Sequence, residues 1–244
     1  MGSALLKGWQ DCDVKVVEPQ PPSGISALSS PDALADDYNP ALVVFAVKPQ
    51  QVDAVVPDYA RFNRAGTTFL SIAAGKTIAR LKLLLGGSPA IVRAMPNTPA
   101  AIGKGITVAA ANAEVSGAGK KAADFALQAG GAVEWVADEG LLDAVTALSG
   151  SGPAYVFYLV EVLAEAGKQM GLAPDLSMKL ARQTLIGSGY LLEQSTESAA
   201  DLRKAVTSPG GTTQAALEVL TGRMQSLFTE ALLAAQKRGR ELAG

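Results

Sequence analysis

The chain has 244 residues, of which 48% are hydrophobic and 18% charged, with 21 basic and 23 acidic side chains. This length suits one large domain or two modest ones, and the nearly neutral charge balance argues against disorder and against a nucleic-acid-binding surface. The single cysteine, Cys12, excludes an internal disulfide and a Cys-x-x-Cys metal or redox site. Because histidine is absent, the commonest general base and metal ligand is missing. Any catalysis must work without imidazole, which favours chemistry carried by a cofactor, with hydroxyl, backbone and charged groups positioning the substrate, and no metal site is expected.

The longest uncharged stretch covers residues 144–160 and is interrupted by Ser149-Gly150-Ser151-Gly152-Pro153. We expect it to be too short and too polar to cross a bilayer. No basic segment followed by an apolar one opens the sequence, so a secretion signal is not expected. These features predict a soluble, cytoplasmic protein without a membrane partner.

Short apolar segments alternate with helical patterns over residues 1–137. The apolar segments predict strands over 14–17, 41–47, 67–73, 90–94, 106–111 and 133–136. Apolar residues at helical spacing predict helices over 51–63, 77–85 and 114–129. Several of the strands are apolar on both faces, which is typical of a parallel sheet covered by helices on both sides. The first half therefore predicts an α/β domain.

The pattern changes near residue 138, where the strand-like segments end. Helices are predicted over 153–170, 174–194, 199–206, 212–220 and 224–242. Apolar residues occupy every side of the segment 155–163. This is more apolar surface than five helices can bury among themselves. We expect this second domain, residues 138–244, to be all-helical and to pack against another subunit, with a self-contained bundle as the alternative.

The chain opens with the first turn of an amphipathic helix, followed by a predicted strand that ends at Glu18. This order is half of a dinucleotide-binding unit, in which a strand and a Gly-x-Gly-x-x-Gly loop precede the helix. Gly2 takes the place of the last glycine of that loop. Taken alone, a helix followed by a strand is common in any α/β fold.

Four further segments add to this opening: Ala46-Val47-Lys48-Pro49-Gln50, Arg93-Ala94-Met95-Pro96-Asn97-Thr98-Pro99, Ser149-Gly150-Ser151-Gly152-Pro153-Ala154-Tyr155 and Val206-Thr207-Ser208-Pro209-Gly210-Gly211-Thr212-Thr213. In order and spacing they resemble the pyrroline-5-carboxylate reductase family over the whole chain. The resemblance implies a Rossmann-type parallel sheet domain, residues 1–137, followed by an all-helical dimerisation domain. It also implies reduction of 1-pyrroline-5-carboxylate to L-proline, the last step of proline biosynthesis, with NADP (NADPH) as cofactor and a homodimer or a larger assembly of dimers.

The cofactor site implied by the resemblance lies at the opening helix and at the ends of three strands. Its residues would be Met1, Gly2, Ala46, Val47, Lys48, Pro49, Ile72, Ala73, Ala74, Met95 and Asn97. This agrees with the general rule that ligands of open α/β sheets bind outside the carboxyl ends of the strands. The alternatives are a solvated Lys48 beside a turn-forming proline, and a rigid proline turn capped by Asn97 and Thr98.

The segment 207–213 is a glycine loop that enters a helix, a geometry that aims free N–H groups at an anion. The resemblance makes that anion the substrate carboxylate. Its binding residues would be Val206, Ser208, Gly210, Gly211 and Thr212, with the N–H groups of residues 210–213 as donors. Thr213 would be the catalytic residue, whose hydroxyl hydrogen-bonds the ring nitrogen of an imine that binds already protonated. The alternative is that Thr212 or Thr213 only caps the helix.

The segment 149–153 is interpreted mainly as the entrance to a helix, with Pro153 at its first position. Two features depart from the family pattern. The pattern begins with a strand and two glycines that this sequence lacks. We expect coding sequence upstream of Met1 to encode an apolar strand and Gly-x-Gly, and the alternative is that another segment fills the gap. Glu18 closes the strand predicted over 14–17, the second strand of the family pattern, where a carboxylate would bind a ribose 2′-hydroxyl and repel a 2′-phosphate, so NAD remains possible beside NADP.

Two other functions stay open on the sequence. A β-hydroxyacid dehydrogenase relative would have a similar two-domain plan, but it would need a catalytic lysine on the long helix after Pro153, where only Lys168 lies, near the end. A non-catalytic dimeric protein that binds a nucleotide or an amino acid is the second alternative. Failure to bind either dinucleotide would distinguish this alternative from the reductase.

Overall fold

A computed structural model describes residues 1–243. The chain divides into two compact units. The first contains residues 1–151 together with the chain from residue 235 onward, and the second contains residues 152–234.

The first unit is built on a five-stranded sheet whose strands lie in chain order. They are β1 (Leu42–Phe45), β2 (Thr68–Ser71), β3 (Ala90–Met95), β4 (Gly105–Ala111) and β5 (Gly131–Trp135). Five of the predicted strands are thus confirmed, with ends shifted by a few residues. β1, β2 and β3 are parallel, and so are β4 and β5.

Three of the four strand pairs are parallel, as predicted, and the fourth differs because β4 is antiparallel to β3. Only residues 96–104 connect the two strands, and they form a short 3-10 turn, Thr98–Ile102, instead of a crossover helix. Parallel neighbours require a crossover of a dozen or more residues, so this connection allows only the antiparallel arrangement.

The strand expected over residues 14–17 is also wrong. This segment forms one isolated bridge, between Val17 and Leu28, with two backbone hydrogen bonds around it. Within residues 1–243, β1 pairs only with β2, and the segment has no further strand beside it. A strand persists only when a neighbour satisfies its backbone groups, so the apolar pattern alone does not produce one here.

The helices of the first unit are α1 (Gly2–Leu6), α2 (Val52–Val55), α3 (Ile78–Leu85), α4 (Gly117–Gln128) and α5 (Leu142–Val145). The predicted helix 51–63 is broken into 3-10, α and 3-10 turns, because Pro57 has no N–H group to donate within an α-helix. The side chains of Thr77 and Ser116 cap α3 and α4 by accepting hydrogen bonds from Arg80 N and Gly119 N.

Two apolar clusters flank the sheet, as expected for a sheet with helices on both faces. One contains Phe45, Phe62, Phe69, Leu81 and Ile91, and the other contains Leu70, Val92, Ala109, Ala123 and Leu127. The alternation of Phe69 and Leu70, and of Ile91 and Val92, between the two clusters follows from the two-residue period of a strand.

A long helical stretch, Glu139–Gln169, follows β5. It consists of a 3-10 turn, α5, a π-helical turn (Thr146–Gly150) and α6 (Gly152–Gln169). Within residues 1–243, this 31-residue stretch is long and apolar enough to cross a membrane by length and composition, and 11% of its most apolar window is buried. The expectation of a stretch too short to span a membrane is therefore wrong on length, because a π-turn continues the helix through the glycines instead of breaking it.

The second unit is helical, as predicted. It contains α6, α7 (Pro174–Gln194), α8 (Ala199–Ala205), α9 (Thr212–Thr221) and the first part of α10 (Met224–Ala243). α6 and α7 approach closely at Ser177, whose buried hydroxyl donates to the carbonyl of Ala164. Large apolar side chains remain exposed on these helices, among them Val156, Phe157, Tyr158, Leu180, Tyr190 and Leu227.

Candidate active site

The carboxyl ends of β1, β2 and β3 lie side by side. Phe45 pairs with Ser71, Ser71 pairs with Arg93, and Ile72 N donates to Phe45 O at 3.1 Å. The segments that follow the three strands therefore leave the sheet at one edge. Together with Met95, the last residue of β3, they carry most of the residues predicted to bind the cofactor: Ala46, Val47, Lys48, Pro49, Ile72, Ala73, Ala74 and Asn97.

The opening helix reaches the same edge. A Cβ atom on Gly2 would lie 2.9 Å from the Cβ of Ala46, so the first turn of α1 contacts the segment after β1. Leu5, which is fully buried, anchors α1 in the unit, and Met1 is exposed at its start. The structure thus brings Gly2 and Ala46 together, as the predicted cofactor site requires.

Small side chains dominate the turn after β2. Ala73 is buried and Ala74 is half-buried, and Ser71 Oγ accepts a hydrogen bond from Ala73 N at 3.3 Å. Short side chains at the carboxyl edge let a flat ring approach the backbone closely. The small side chains of Ala73 and Ala74 therefore make this edge compatible with a ligand that carries a flat ring.

The amide of Asn97 ties the end of β3 to two other segments. Its Oδ1 accepts from Ile106 N at 3.0 Å, and its Nδ2 donates to Ser149 Oγ at 3.2 Å. It makes no capping bond to the 3-10 turn that follows, which removes the capping alternative for Asn97. One N–H and one lone pair of the amide remain for a ligand.

The π-turn packs against the end of β3 in a second place. A Cβ atom on Gly150 would lie 2.5 Å from Cε of Met95. The serine-glycine segment is therefore more than a helix entrance, since it supports the loop after β3. Pro153 is the second residue of α6, because that helix begins at Gly152.

The structure adds a charged cluster whose role the motifs did not indicate. Arg93 lies in β3 with its side chain 6% exposed, and it forms ion pairs with Glu139 and Asp143 at 2.8 and 3.8 Å. An arginine inside an otherwise apolar strand was the available sequence signal, because a buried guanidinium requires carboxylate partners.

Asp53 joins the segments after β1 and β2. Its carboxylate accepts hydrogen bonds from Lys76 Nζ at 2.6 Å and from Arg80 Nε at 2.7 Å. The hydrogen bonds from Lys76 and Arg80 lower the pKa of Asp53 below its ordinary value. This carboxylate holds α2 against the start of α3, next to the candidate cofactor edge.

The predicted substrate loop lies in the second unit, immediately before α9. Gly210 has φ +70°, a left-handed conformation that favours glycine. α9 begins at Thr212, and its N-cap residue is Gly211, so no side chain caps the helix. The expectation that Thr212 or Thr213 could cap the helix is therefore wrong, because both are helical residues with their hydroxyls past the cap.

Two of the expected N–H donors are already used within the loop. Gly210 N donates to Gln214 Oε1 at 2.8 Å, and Gly211 N donates to Ser208 O at 3.0 Å. The turn closes on itself, so the expectation that these two groups face an anion is wrong for this conformation. The N–H groups of Thr212 and Thr213 belong to the first turn of α9 and have no acceptor within the helix. Thr213 is half-buried, and Val206 and Ser208 are exposed.

The first unit is a Rossmann-like domain, because its sheet has helices on both faces and three parallel strand ends at one edge. The helical unit has exposed apolar sides, which are typical of a dimerisation domain. Residues 139–242 match the family model for pyrroline-5-carboxylate reductase dimerisation. A pyrroline-5-carboxylate reductase of Pseudomonas aeruginosa is 41% identical over 216 residues, which are 88% of this chain and 78% of that protein. The chain belongs to the pyrroline-5-carboxylate reductase family.

Two solved structures share this fold. The pyrroline-5-carboxylate reductase of Coxiella burnetii is 39% identical with a TM-score of 0.80, covering 84% of this chain and 77% of that one. The Plasmodium falciparum pyrroline carboxylate reductase, solved with NADP bound, is 29% identical with a TM-score of 0.81, covering 100% of this chain and 96% of that one. The predicted family is therefore confirmed. Membership in it argues against a β-hydroxyacid dehydrogenase relative, and the dimerisation match argues against a self-contained helical bundle.

Proposed function

We propose that the protein reduces 1-pyrroline-5-carboxylate to L-proline with NADPH, as the last step of proline biosynthesis. The observation that carries the proposal is the convergence of three parallel strand ends with small side chains at one edge, in a chain of this family. We propose a cytoplasmic homodimer, or a larger assembly of dimers, that has no nucleic-acid partner.

A nicotinamide dinucleotide supplies, when bound, the hydride that no side chain of this protein can donate. Gly2 and Ala46 would hold its phosphate and ribose end, because the absence of a side chain on Gly2 lets the start of α1 lie against the segment after β1. Lys48 and Pro49 would flank the ribose, and Ile72–Ala74 with Met95 and Asn97 would line the ring and exclude water. NADP in the Plasmodium relative supports NADPH as the cofactor.

The first turn of α9 would hold the substrate carboxylate. The N–H groups of Thr212 and Thr213 lie at the positive end of a ten-residue helix, which favours an anion. Ser208 would add a hydroxyl donor, and Val206 an apolar contact. Gly210 and Gly211 would shape the loop, since their own N–H groups are engaged within it.

Thr213 would orient the ring. Its hydroxyl, at the second position of α9, would hydrogen-bond the ring nitrogen and fix the imine carbon for reaction. An imine that binds protonated already carries the proton that the nitrogen of the product needs. The chain can therefore work without histidine, because its residues position the reactants and need not supply a strong acid.

We assign dinucleotide binding to residues 1–137, and substrate binding and dimerisation to residues 138–244. The exposed apolar side chains of α6 support the dimerisation role, because a second copy of the chain would cover them. The same coverage would account for the apolar stretch Glu139–Gln169 without a membrane, since it begins where the dimerisation match begins.

The test is the oxidation of NADPH and NADH by the purified chain, followed by absorbance, with 1-pyrroline-5-carboxylate added last. Oxidation that depends on the imine, with proline as the product, is the expected result. If neither dinucleotide is oxidised, a binding titration with each one tests whether the protein is a non-catalytic binding protein. A protein that binds a dinucleotide or an amino acid without turnover would replace the reductase.

A further inference from the structure

Arg93 is a cation in the middle of the sheet. In β3 it pairs with Ser71 of β2 on one side and with Ala110 of β4 on the other, and its side chain is 6% exposed. The mechanism proposed above does not use this charge. Its two carboxylate partners, Glu139 and Asp143, lie on the helical segment that follows β5.

Glu139 connects Arg93 to the loop after β2. One oxygen, Oε1, accepts hydrogen bonds from Arg93 Nη1 and from Ile78 N, each at 2.8 Å. Ile78 is the first residue of α3, and it follows the turn 73–77 directly. A single carboxylate oxygen therefore fixes the distance between β3 and the start of α3, at the edge where the cofactor residues lie.

Asp143 connects Arg93 to the support of the loop after β3. Its carboxylate lies on α5, 3.8 Å from Arg93 Nη2. The π-turn that continues α5 contacts the end of β3 through two pairs, Ser149 with Asn97 and Gly150 with Met95. The helical segment 139–150 is thus held at its beginning by the guanidinium and at its end by the loop.

This arrangement is better suited to fixing positions than to adding stability. A buried ion pair contributes little net stability compared with apolar residues of similar volume. A guanidinium, however, presents several donors in a rigid planar fork, which sets the direction of each partner. Here the fork donates to Glu139 at 2.8 Å and lies 3.8 Å from Asp143, and both carboxylates belong to the segment 139–150, which contacts the end of β3 and the start of α3.

We propose that Arg93 is a positioning residue for hydride transfer, acting through Glu139 and Asp143. Together they hold the loops 73–77 and 95–97 in the relative position that the reaction requires. The inference rests on the proposed function and adds a structural cause for the geometry of its cofactor site.

The test uses two variants of the full chain. Arg93→Met removes the cation, and Glu139→Gln, which keeps the shape of the side chain, decides the question if Arg93→Met does not fold. The matched control is Glu114→Gln, because Glu114 forms an exposed ion pair with Lys82, in the last turn of the same helix α3. Three quantities are measured: the single-turnover rate of imine-dependent NADPH oxidation, the Kd of NADPH, and hydrogen exchange of the amides of residues 72–78.

For Glu139→Gln we expect the single-turnover rate to fall about tenfold while the Kd of NADPH changes by less than about twofold. The Ile78 amide should exchange faster, by about tenfold, because it loses a charge-assisted hydrogen bond. Glu114→Gln should match the wild type in all three. A rate or an Ile78 exchange that stays within twofold of wild type in Glu139→Gln overturns the proposal, as does an equal loss in the control.

The two proposals fail separately. If the wild type oxidises no dinucleotide in an imine-dependent reaction, the proposed function falls. If the wild type is active and the variant keeps its rate, only the positioning role falls. Hydrogen exchange of the Ile78 amide reports on the connection from Glu139 in either case, since it needs no turnover.

Discussion

Gly2 lies against Ala46 with no room for a side chain between them, because a Cβ on Gly2 would come within 2.9 Å of the Cβ of Ala46. Gly2→Val would push α1 away from the segment after β1. We expect the Kd of NADPH to rise about tenfold. Overpacking a close contact costs about as much free energy as a tenfold change in Kd represents. A fluorescence titration measures it. Ser3→Val, at an exposed position of the same turn, is the control, and equal affinities of the two variants would contradict the role of Gly2.

Glu18 is exposed after the Val17 bridge, and its Oε1 accepts a hydrogen bond from Gln20 N at 3.1 Å. If this carboxylate faces the ribose, Glu18→Ser removes a repulsion of the 2′-phosphate. The ratio of kcat/KM for NADPH to that for NADH should then rise by about five- to tenfold. Asp11→Ser removes an exposed acidic residue nearby in sequence and should leave the ratio as it is. An unchanged ratio in Glu18→Ser would show that Glu18 does not discriminate between NADPH and NADH.

The strands of the fold could be read from local sequence, but their directions and neighbours could not. An apolar run identifies β4 without showing that it runs against β3. That information lay in the short connection 96–104, which leaves no room for a crossover helix. The segment 14–17 also has a strand-like composition, with three valines around Lys15. It does not become a strand, because a strand depends on a partner that the local pattern does not reveal.

The candidate site was predictable in so far as it depends on strand ends. Residues that follow parallel strands meet at one edge in any such sheet, so the sequence predicts that Ala46 and Ala73 lie at a common edge, and the pairing of Phe45 with Ser71 agrees with this. The bond between Asn97 and Ser149, and the ion pair between Arg93 and Glu139, join residues 52 and 46 positions apart. Contacts of that kind depend on how the chain folds back, and one sequence does not specify them.

Asp53 gives stability a pH dependence. Hydrogen bonds from Lys76 and Arg80 lower its folded pKa below the ordinary value of 3.8, so the stabilisation is complete above that value and is lost as the pH falls through the folded pKa. Asp53→Asn should lower Tm by roughly 1–3 °C at neutral pH. The difference from wild type should shrink below about pH 4 and in 1 M salt. Thermal melts across pH measure this, and a constant difference from pH 7 to pH 3 would contradict it.

Substitutions at two glycines of α4 distinguish the effect of packing on stability from the effect of helix propensity. A Cβ on Gly119 would lie 2.2 Å from Oγ1 of the buried Thr68 in β2, whereas a Cβ on Gly117 would meet open space. We expect Gly119→Ala to lower the free energy of unfolding by about 1–3 kcal/mol, because α4 must move off the sheet. Gly117→Ala should be neutral or stabilise by up to about 1 kcal/mol. Urea denaturation measures both, and equal stabilities of the two variants would refute the close packing of α4 on β2.

Thr213 is the residue on which the proposed chemistry depends most directly. Removing its hydroxyl in Thr213→Ala should lower kcat by roughly 10- to 1,000-fold, because the ring nitrogen would lose the hydrogen bond that orients it. Thr213→Ser keeps a hydroxyl and should retain most of the activity. The control is Thr221→Ala, at the other end of α9, where the hydroxyl donates to Leu217 O at 2.7 Å within the helix. Steady-state kinetics with 1-pyrroline-5-carboxylate compare the three variants with wild type. Because both alanine variants lose one hydroxyl from the same helix, a fall in kcat confined to Thr213→Ala reports on the substrate and not on the fold. Wild-type kinetics in Thr213→Ala would remove the Thr213 hydroxyl from the mechanism. The backbone N–H groups would then be the only contribution of α9 to the reaction.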